Sequence, residues 1–290
     1  MTGLERELAT AVILSRHAAG DVSGELALME LLILTEDLEV LEHTLEDGEI
    51  KALMRAHRAG CATIAAMLKA DVDRPPRDAS IEEGVAFARA LFDWSVQQSE
   101  EASVALYSLG SPEVLGRATE EIVTLLDAWG VLSLDRAALD LGCGIGRMER
   151  ALASRLRSMT AIDVSKDMLT AARRRCADLT HVTFTSCSGL DLEGHEDDTY
   201  DLVLAVDSVP YLVQAGMPLV EQHFADVRRV LRPGGDFFLA SFSYRGSAEE
   251  DIADVARLAA AAGLELVVSG ARPFRLWDAL VFLMRKSPTR

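Results

Sequence analysis

ALDLGCGIGR occupies residues 138–147 of this 290-residue chain and combines an apolar run, an acidic residue and three glycines. The glycines stand at alternate positions, 142, 144 and 146, and helical periodicity resumes directly after them. Such a turn lets a ligand approach the backbone closely because no Cβ intervenes. The stretch therefore predicts a strand, a turn and a helix, with a ligand at the carboxyl end of the strand.

The sequence around this stretch alternates short apolar runs with helical segments from Ala137 onward. This alternation is typical of a parallel sheet with crossover helices. Seven strands are predicted: Ala137–Leu141, Met159–Asp163, Val182–Ser186, Leu202–Val206, Asp236–Phe242, Leu264–Val268 and Ala279–Met284. Predicted helices include 147–156, 166–178 and 217–231. We expect an α/β fold over residues 131–290.

The first 130 residues read as a separate, all-helical region. Helical spacing of apolar residues runs through 4–17, 24–45, 49–68, 81–109 and 112–129, with a linker expected at 71–80. ALMELLIL, residues 27–34, is too continuously apolar for a one-sided helix. The region is expected to form either a lid with a substrate pocket or the contact of a homodimer.

Composition excludes several classes of protein. The net charge is −17, of which −14 falls on residues 1–130, and this balance argues against nucleic acid as a partner. No apolar stretch is long enough for a membrane span, and the acidic N-terminus is unlike a secretory signal, so we expect a cytoplasmic protein that does not bind membranes. The four cysteines are widely spaced and no metal-ligand cluster is visible, so no metal is predicted.

A second motif, AIDVSKDML at residues 161–169, places Asp163 at the end of the next strand. An acid at that point can accept hydrogen bonds from both hydroxyls of a ribose. A nicotinamide cofactor would require a third glycine where Arg147 stands. The two motifs instead resemble those of the class I S-adenosylmethionine-dependent (SAM-dependent) methyltransferases, and the resemblance extends over residues 137–286.

This resemblance implies a Rossmann-like, seven-stranded, mainly parallel sheet. RRVLRPGGDFFLASFS at 228–243 resembles the helix, turn and fifth strand of that fold, and the last strand would lie antiparallel beside the fifth. The resemblance also implies SAM as the cofactor and S-adenosylhomocysteine as its product. The methionine part of SAM would lie on the glycine turn, the ribose on the acid of the second strand, and adenine beside the residues after it. The implied cofactor residues are Asp140, Gly142, Cys143, Gly144, Gly146, Asp163, Val164 and Met168.

The third and fourth motifs match the family less closely. An acid often follows the third strand in the family, but Ser188 and Gly189 stand there in this chain. TYDLVLAVDSVPY, residues 199–211, resembles the fourth motif and implies that Asp207 and Ser208 face the transferred methyl group. Tyr107, upstream of the first strand, is a candidate to close over SAM or to pack in a core.

We predict transfer of a methyl group to a small molecule, with the acceptor atom (O, N, S or C) left open. Candidates for a general base are Asp207, Tyr211 and Tyr244. Arg245 could pair with a carboxylate of the acceptor, and the acidic surface would suit an amine. The alternatives are a protein or RNA methyltransferase, a SAM-binding enzyme of this fold that transfers no methyl group, and a partner-binding module without SAM affinity.

Overall fold

The computed structural model describes residues 3–70 and 79–288. The predicted linker at 71–80 therefore lies almost entirely outside the described residues. The helices are α1 (Gly3–Ala18), α2 (Gly24–Thr35), α3 (Leu38–Thr44), α4 (Glu49–Ala56), α5 (Arg58–Lys69), α6 (Ile81–Gln98), α7 (Glu100–Val104), α8 (Pro112–Ala128), α9 (Arg147–Leu152), α10 (Lys166–Arg175), α11 (Val209–Ala215), α12 (Met217–Val230) and α13 (Ala248–Ala262).

The strands are β1 (Ala137–Leu141), β2 (Ser158–Asp163), β3 (Val182–Ser186), β4 (Tyr200–Val206), β5 (Leu231–Ser241), β6 (Leu264–Ala271) and β7 (Leu280–Lys286). They form one sheet in the order β3-β2-β1-β4-β5-β7-β6, and β7 is antiparallel to both of its neighbours. The predicted Rossmann-like sheet with an antiparallel last strand is confirmed. Because β3, β2, β1, β4 and β5 are parallel, their carboxyl ends meet at one edge.

Long helices predicted for the first 109 residues are interrupted in the structure. The predicted helix over 24–45 breaks where Glu36 adopts a left-handed conformation (φ 53°). Asp37 then caps α3, since its Oδ1 accepts hydrogen bonds from the backbone nitrogens of Glu39 and Val40 at 3.0 and 3.2 Å. Periodicity alone misses this break because the apolar spacing continues through it.

The chain divides into two compact units. Among the described residues, the first comprises 3–70, 94–121 and 274–278, and the second comprises 79–93, 122–273 and 279–288. Residues 81–93 of α6 therefore belong to the unit that contains the sheet, although the predicted boundary lies near residue 130. The predicted two-domain division itself stays a prediction.

The first unit is helical and is built around α2. Leu28, Leu31 and Leu32 on this helix are fully buried, as the continuous apolar run predicts. Glu25, at the start of the same helix, forms an ion pair with Arg117 of α8 at 3.0 Å. Several faces of α2 are thus buried within this unit.

The second unit has its core on the central strands. All five residues of β1 are buried, and β4 is buried from 202 to 206, as expected for a parallel sheet covered on both faces. Phe224 of α12 packs edge-on against Phe237 of β5, with ring centroids 5.4 Å apart. This rigid core holds the carboxyl ends of the strands in place.

Gly84 of α6 offers a test of how tightly that helix packs in the second unit. A Cβ on Gly84 would lie 2.6 Å from Ala215 Cα, too close to be accommodated without a backbone shift. We expect Gly84→Ala to lower the free energy of unfolding by about 1 to 3 kcal/mol in urea denaturation, the usual cost of overpacking. Gly116→Ala is the matched control, since this exposed helical glycine has nothing within 4 Å of an added Cβ.

The control should raise stability by about 0.5 to 1 kcal/mol through helix propensity. Equal effects of the two substitutions would contradict the close packing of α6.

Candidate cofactor and active site

The glycine turn after β1 requires glycine at several points. Gly142, Gly144 and Gly146 all have positive φ (77°, 54° and 76°), which side chains other than glycine rarely adopt. At Gly142 an added Cβ would lie only 2.7 Å from Ser208 Cβ. The turn after β1 therefore lies directly against the chain that follows β4.

Gly146 has a packing role that the sequence does not reveal. A Cβ there would lie 3.1 Å from Ala172 Cα and 3.2 Å from Cys176 Sγ, both in or just after α10. Gly146 is also the N-cap residue that immediately precedes α9. Its absence of a side chain thus lets α9 and α10 approach, whether or not a ligand touches it.

Asp163 at the end of β2 holds the turn in position. Its Oδ2 accepts a hydrogen bond from Gly144 N at 2.9 Å, and its Oδ1 accepts one from Ser165 N at 2.8 Å. Burial raises the pKa of the Asp163 carboxyl, and the backbone donors oppose that shift. Each carboxylate oxygen has two acceptor positions, so the group retains capacity for the hydroxyls of a ribose.

The backbone of the turn is also fixed by β2. Gly142 N and Cys143 N both donate to Ile162 O, at 2.9 and 3.1 Å. Cys143 is buried, and burial raises the pKa of its thiol well above the usual value. It is therefore a neutral side chain at physiological pH.

The residues that the resemblance assigns to the adenine ring come from three segments of the chain. Gly189 (φ 78°) lies against Val164, because a Cβ on this glycine would be 2.6 Å from Val164 Cγ1. Met168 is buried and its N donates to Ser165 Oγ at 3.0 Å. Ser188 is exposed, and its Oγ accepts from Leu190 N at 3.1 Å. The structure thus brings Val164 and Gly189 together and leaves Ser188 at the surface.

The chain after β4 brings Asp207 and Ser208 to the same edge. Asp207 has a left-handed φ of 63°, unusual for a residue with a side chain. Its N donates to Ala240 O at 2.8 Å and its Oδ1 accepts from Phe242 N at 3.3 Å. Ser208 Oγ is buried and has no hydrogen-bond partner among the residues that the structure describes. A buried orphan hydroxyl beside the glycine turn marks a position where a bound group can complete its hydrogen bonding.

An aromatic cluster lies next to this chain. Tyr211 packs edge-on against Phe92 of α6, with ring centroids 4.6 Å apart, and against Phe242 at 6.5 Å. Burial, and secondarily the charge of Asp207, raises the pKa of Tyr211 far above its ordinary value. The phenol keeps its proton at neutral pH, so it can donate a hydrogen bond but is unsuited to act as a base.

Tyr244 stands beyond β5 and is also a poor base. Burial raises its pKa above the ordinary value, and the nearby acids Asp254 and Asp251 add to the shift. Its hydroxyl is buried without a hydrogen-bond partner in the described parts of the chain. Arg245, the predicted partner of an acceptor carboxylate, already binds Asp254 through Nε at 2.8 Å and through its NH2 group at 2.7 Å.

Tyr107 lies in the first compact unit. It is buried and its ring stacks on Trp277, with centroids 5.7 Å apart. Its contacts in that unit are those of a core aromatic residue.

Sequence reasoning missed three residues of the site. Phe92 and Asp93 belong to α6, more than 40 residues before the glycine turn, and Asp93 Oδ1 accepts a hydrogen bond from Ser165 Oγ at 2.6 Å. Nothing local in the sequence indicates this contact. Glu149 is fully buried in α9. The sequence does carry a signal for this burial, because Glu149 lies three residues before the apolar Leu152 on one face of the predicted helix.

Two findings bear on the predicted absences. Within residues 3–70 and 79–288, no cluster of three or more His, Cys, Asp or Glu side chains could hold a metal ion. None of the described helices combines the length and apolar character needed to cross a membrane.

The sequence of residues 138–235 matches the family described as methyltransferase domain. Methyltransferase GfsG of Streptomyces halstedii is 30% identical over 138 residues, 46% of this chain and 46% of that protein. Demethylmenaquinone methyltransferase of Tropheryma whipplei is 32% identical over 106 residues, 37% of this chain and 41% of that protein. Ubiquinone biosynthesis O-methyltransferase of Hydrogenovibrio crunogenus is 28% identical over 110 residues, 38% and 44% of the two chains. The chain spans less than half the length of each relative.

The fold also resembles a solved structure. Phosphoethanolamine N-methyltransferase 1 of Haemonchus contortus, in complex with phosphoethanolamine and S-adenosylhomocysteine, has a TM-score of 0.50 and 18% identity. The likeness covers 56% of this chain and 33% of that chain and concerns the fold alone. The match over residues 138–235 and the relatives thus show similarity to methyltransferases over part of this chain, and the solved structure shows a likeness of fold.

Proposed function

We propose that this protein transfers the methyl group of SAM to a small-molecule acceptor that carries an apolar ring. The observation that carries the proposal is the meeting of three strand ends at one edge: the glycine turn after β1, Asp163 at the end of β2, and Ser208 after β4. In this arrangement the proposed cofactor site lies beside the Ser208 hydroxyl, which is buried and has no hydrogen-bond partner among the described residues.

The residues present fit SAM. Gly142 and Gly144 carry no side chain and have positive φ, which suits close approach of the methionine part to the backbone, where Asp140 supplies an acid with one unpartnered oxygen. Asp163 retains acceptor capacity for the ribose, and Val164, Met168, Ser188 and Gly189 are assigned to the adenine side. When bound, SAM supplies a methyl group on a positively charged sulfur.

The chain's own contribution is to orient the acceptor and exclude water. Methyl transfer is an in-line displacement, so alignment of the reacting atoms is its main requirement. We assign Asp207 and Ser208 to the reacting end of the site. Tyr211, which retains its proton, is assigned a role as a hydrogen-bond donor and as part of the apolar wall. Asp207 is then the base candidate if the acceptor must lose a proton.

Two observations support a ring-bearing acceptor. Phe92, Tyr211 and Phe242 lie together beside Asp207 and offer aromatic surfaces, which favour flat apolar groups. Two of the relatives are named for demethylmenaquinone and ubiquinone biosynthesis. The net charge of −17 also disfavours RNA as the acceptor.

Asp163→Ala tests the cofactor assignment. Removing an acceptor of the ribose hydroxyls should weaken SAM binding by about 1.5 to 3 kcal/mol, or roughly 10- to 150-fold, measured by titration calorimetry. Asp178→Ala is the matched control, because Asp178 is exposed and pairs with Arg150 on the surface. Thermal unfolding of both variants shows whether the fold is retained.

The control should bind SAM as the wild type does. Unchanged affinity in a folded Asp163→Ala variant would overturn the ribose assignment, and a wild-type protein without SAM affinity would overturn the proposed function.

Tyr211 allows the ring and the hydroxyl to be tested separately. If the tyrosine serves mainly as an apolar wall, Tyr211→Phe should retain kcat/KM within about tenfold, whereas Tyr211→Ala should lose considerably more. The measurement is methyl transfer to a panel of quinols and substituted phenols. A loss of about 100-fold or more in Tyr211→Phe would instead show that the hydroxyl, as donor, carries the effect.

A further inference from the structure

Two carboxyl groups are buried together beneath the glycine turn. Asp140 near the end of β1 is 1% exposed, and Glu149 in the first turn of α9 is 0% exposed. The two side chains are close enough to share a hydrogen bond that shifts the pKa of each. This makes Glu149 a direct neighbour of an acid assigned to the cofactor site.

Neither group is satisfied if both are ionised. Both oxygens of Glu149 and Oδ1 of Asp140 are buried without a hydrogen-bond donor in the described part of the chain. An ionised carboxylate can only accept hydrogen bonds, so two adjacent carboxylates cannot satisfy one another. A single proton on one of them turns it into a donor and provides the missing hydrogen bond.

The surroundings decide which group holds this proton. Burial raises the pKa of Asp140, whereas the hydrogen bond with Glu149 and then the charge of Arg147 lower it and favour its charged form. Glu149 lies close to Asp140 of β1 and Asp163 of β2. Burial, together with the charges of these two acids, raises the pKa of Glu149 well above the ordinary value. The thiols of Cys143, on the turn, and of Cys176, after α10, also lie close to Glu149. Burial raises the pKa of each thiol, so both remain neutral.

We propose that Glu149 is a positioning residue of the cofactor site, which in its neutral form donates a hydrogen bond to Asp140. Asp140 then carries the single negative charge of the pair and is held in one orientation beside the glycine turn. The role in cofactor binding rests on the proposed function, because it assumes that SAM, which is cationic at its ammonium and sulfonium groups, is bound there.

This shared proton has a consequence for stability that does not depend on SAM. A carboxyl with a raised pKa in the folded state holds a proton that the unfolded chain has already released. Its stabilising contribution is present below the unfolded pKa of about 4.5 and is lost as the pH rises through the folded value. The wild-type protein should therefore lose stability as the pH rises from 5 to 9.

Glu149→Gln is the decisive variant, because glutamine keeps a donor toward Asp140 but cannot ionise. We expect its free energy of unfolding, measured in urea without SAM, to fall less steeply between pH 5 and pH 9 than that of the wild type. Glu149→Leu has a similar volume but no donor. By calorimetry at pH 7, Glu149→Gln should bind SAM within about threefold of the wild type, and Glu149→Leu at least about tenfold more weakly.

Equal pH slopes for the wild type and Glu149→Gln would overturn the shared proton, even if SAM binds normally. Equal SAM affinity in Glu149→Gln and a folded Glu149→Leu would overturn the positioning role. If the pH slopes of the wild type and Glu149→Gln differ but the wild type binds no SAM, the proposed function and the positioning role are overturned. The shared proton is then still supported.

Discussion

The hydrogen bond from Gly144 N to Asp163 Oδ2 links the two elements on which the site depends. It joins the glycine turn after β1 to the end of β2, at the edge where these parallel strands lie in register, Leu141 opposite Ile162. Gly144 has a positive φ, and the carboxylate that accepts its N–H also accepts a hydrogen bond from Ser165 N. Asp163 therefore holds the glycine turn in position and is also assigned to bind the ribose of the cofactor.

The sheet could be predicted from the sequence because its signals are local. Strands such as β1 and β3 have the predicted bounds, since each is a short apolar or β-prone run between turn residues. The position of β7 between β5 and β6 is long-range and was predicted only through the family resemblance. The break at Glu36 was missed because a single left-handed residue leaves the apolar spacing unchanged.

The site was only partly predictable for the same reason. The position of Asp163 follows from its place at a strand end, and the structure shows its carboxylate accepting from Gly144 N and Ser165 N; its role toward a cofactor stays a prediction. Phe92 and Asp93 lie in α6, far from the motifs in sequence, and their contacts with Tyr211 and Ser165 are made by folding and not encoded in any nearby pattern. The pKa values of Tyr211 and Tyr244 depend on burial, so their poor suitability as bases was not visible in the sequence.

We propose that this domain moves a methyl group from SAM to a small molecule. The most direct measurement is incubation of the purified protein with SAM carrying a tritium-labelled methyl group, together with the small-molecule and macromolecular fractions of a cell extract. The account predicts that label enters the small-molecule fraction and that a folded Asp163→Ala variant transfers less. Label found only in protein or RNA, or SAM binding without any transfer, would contradict it.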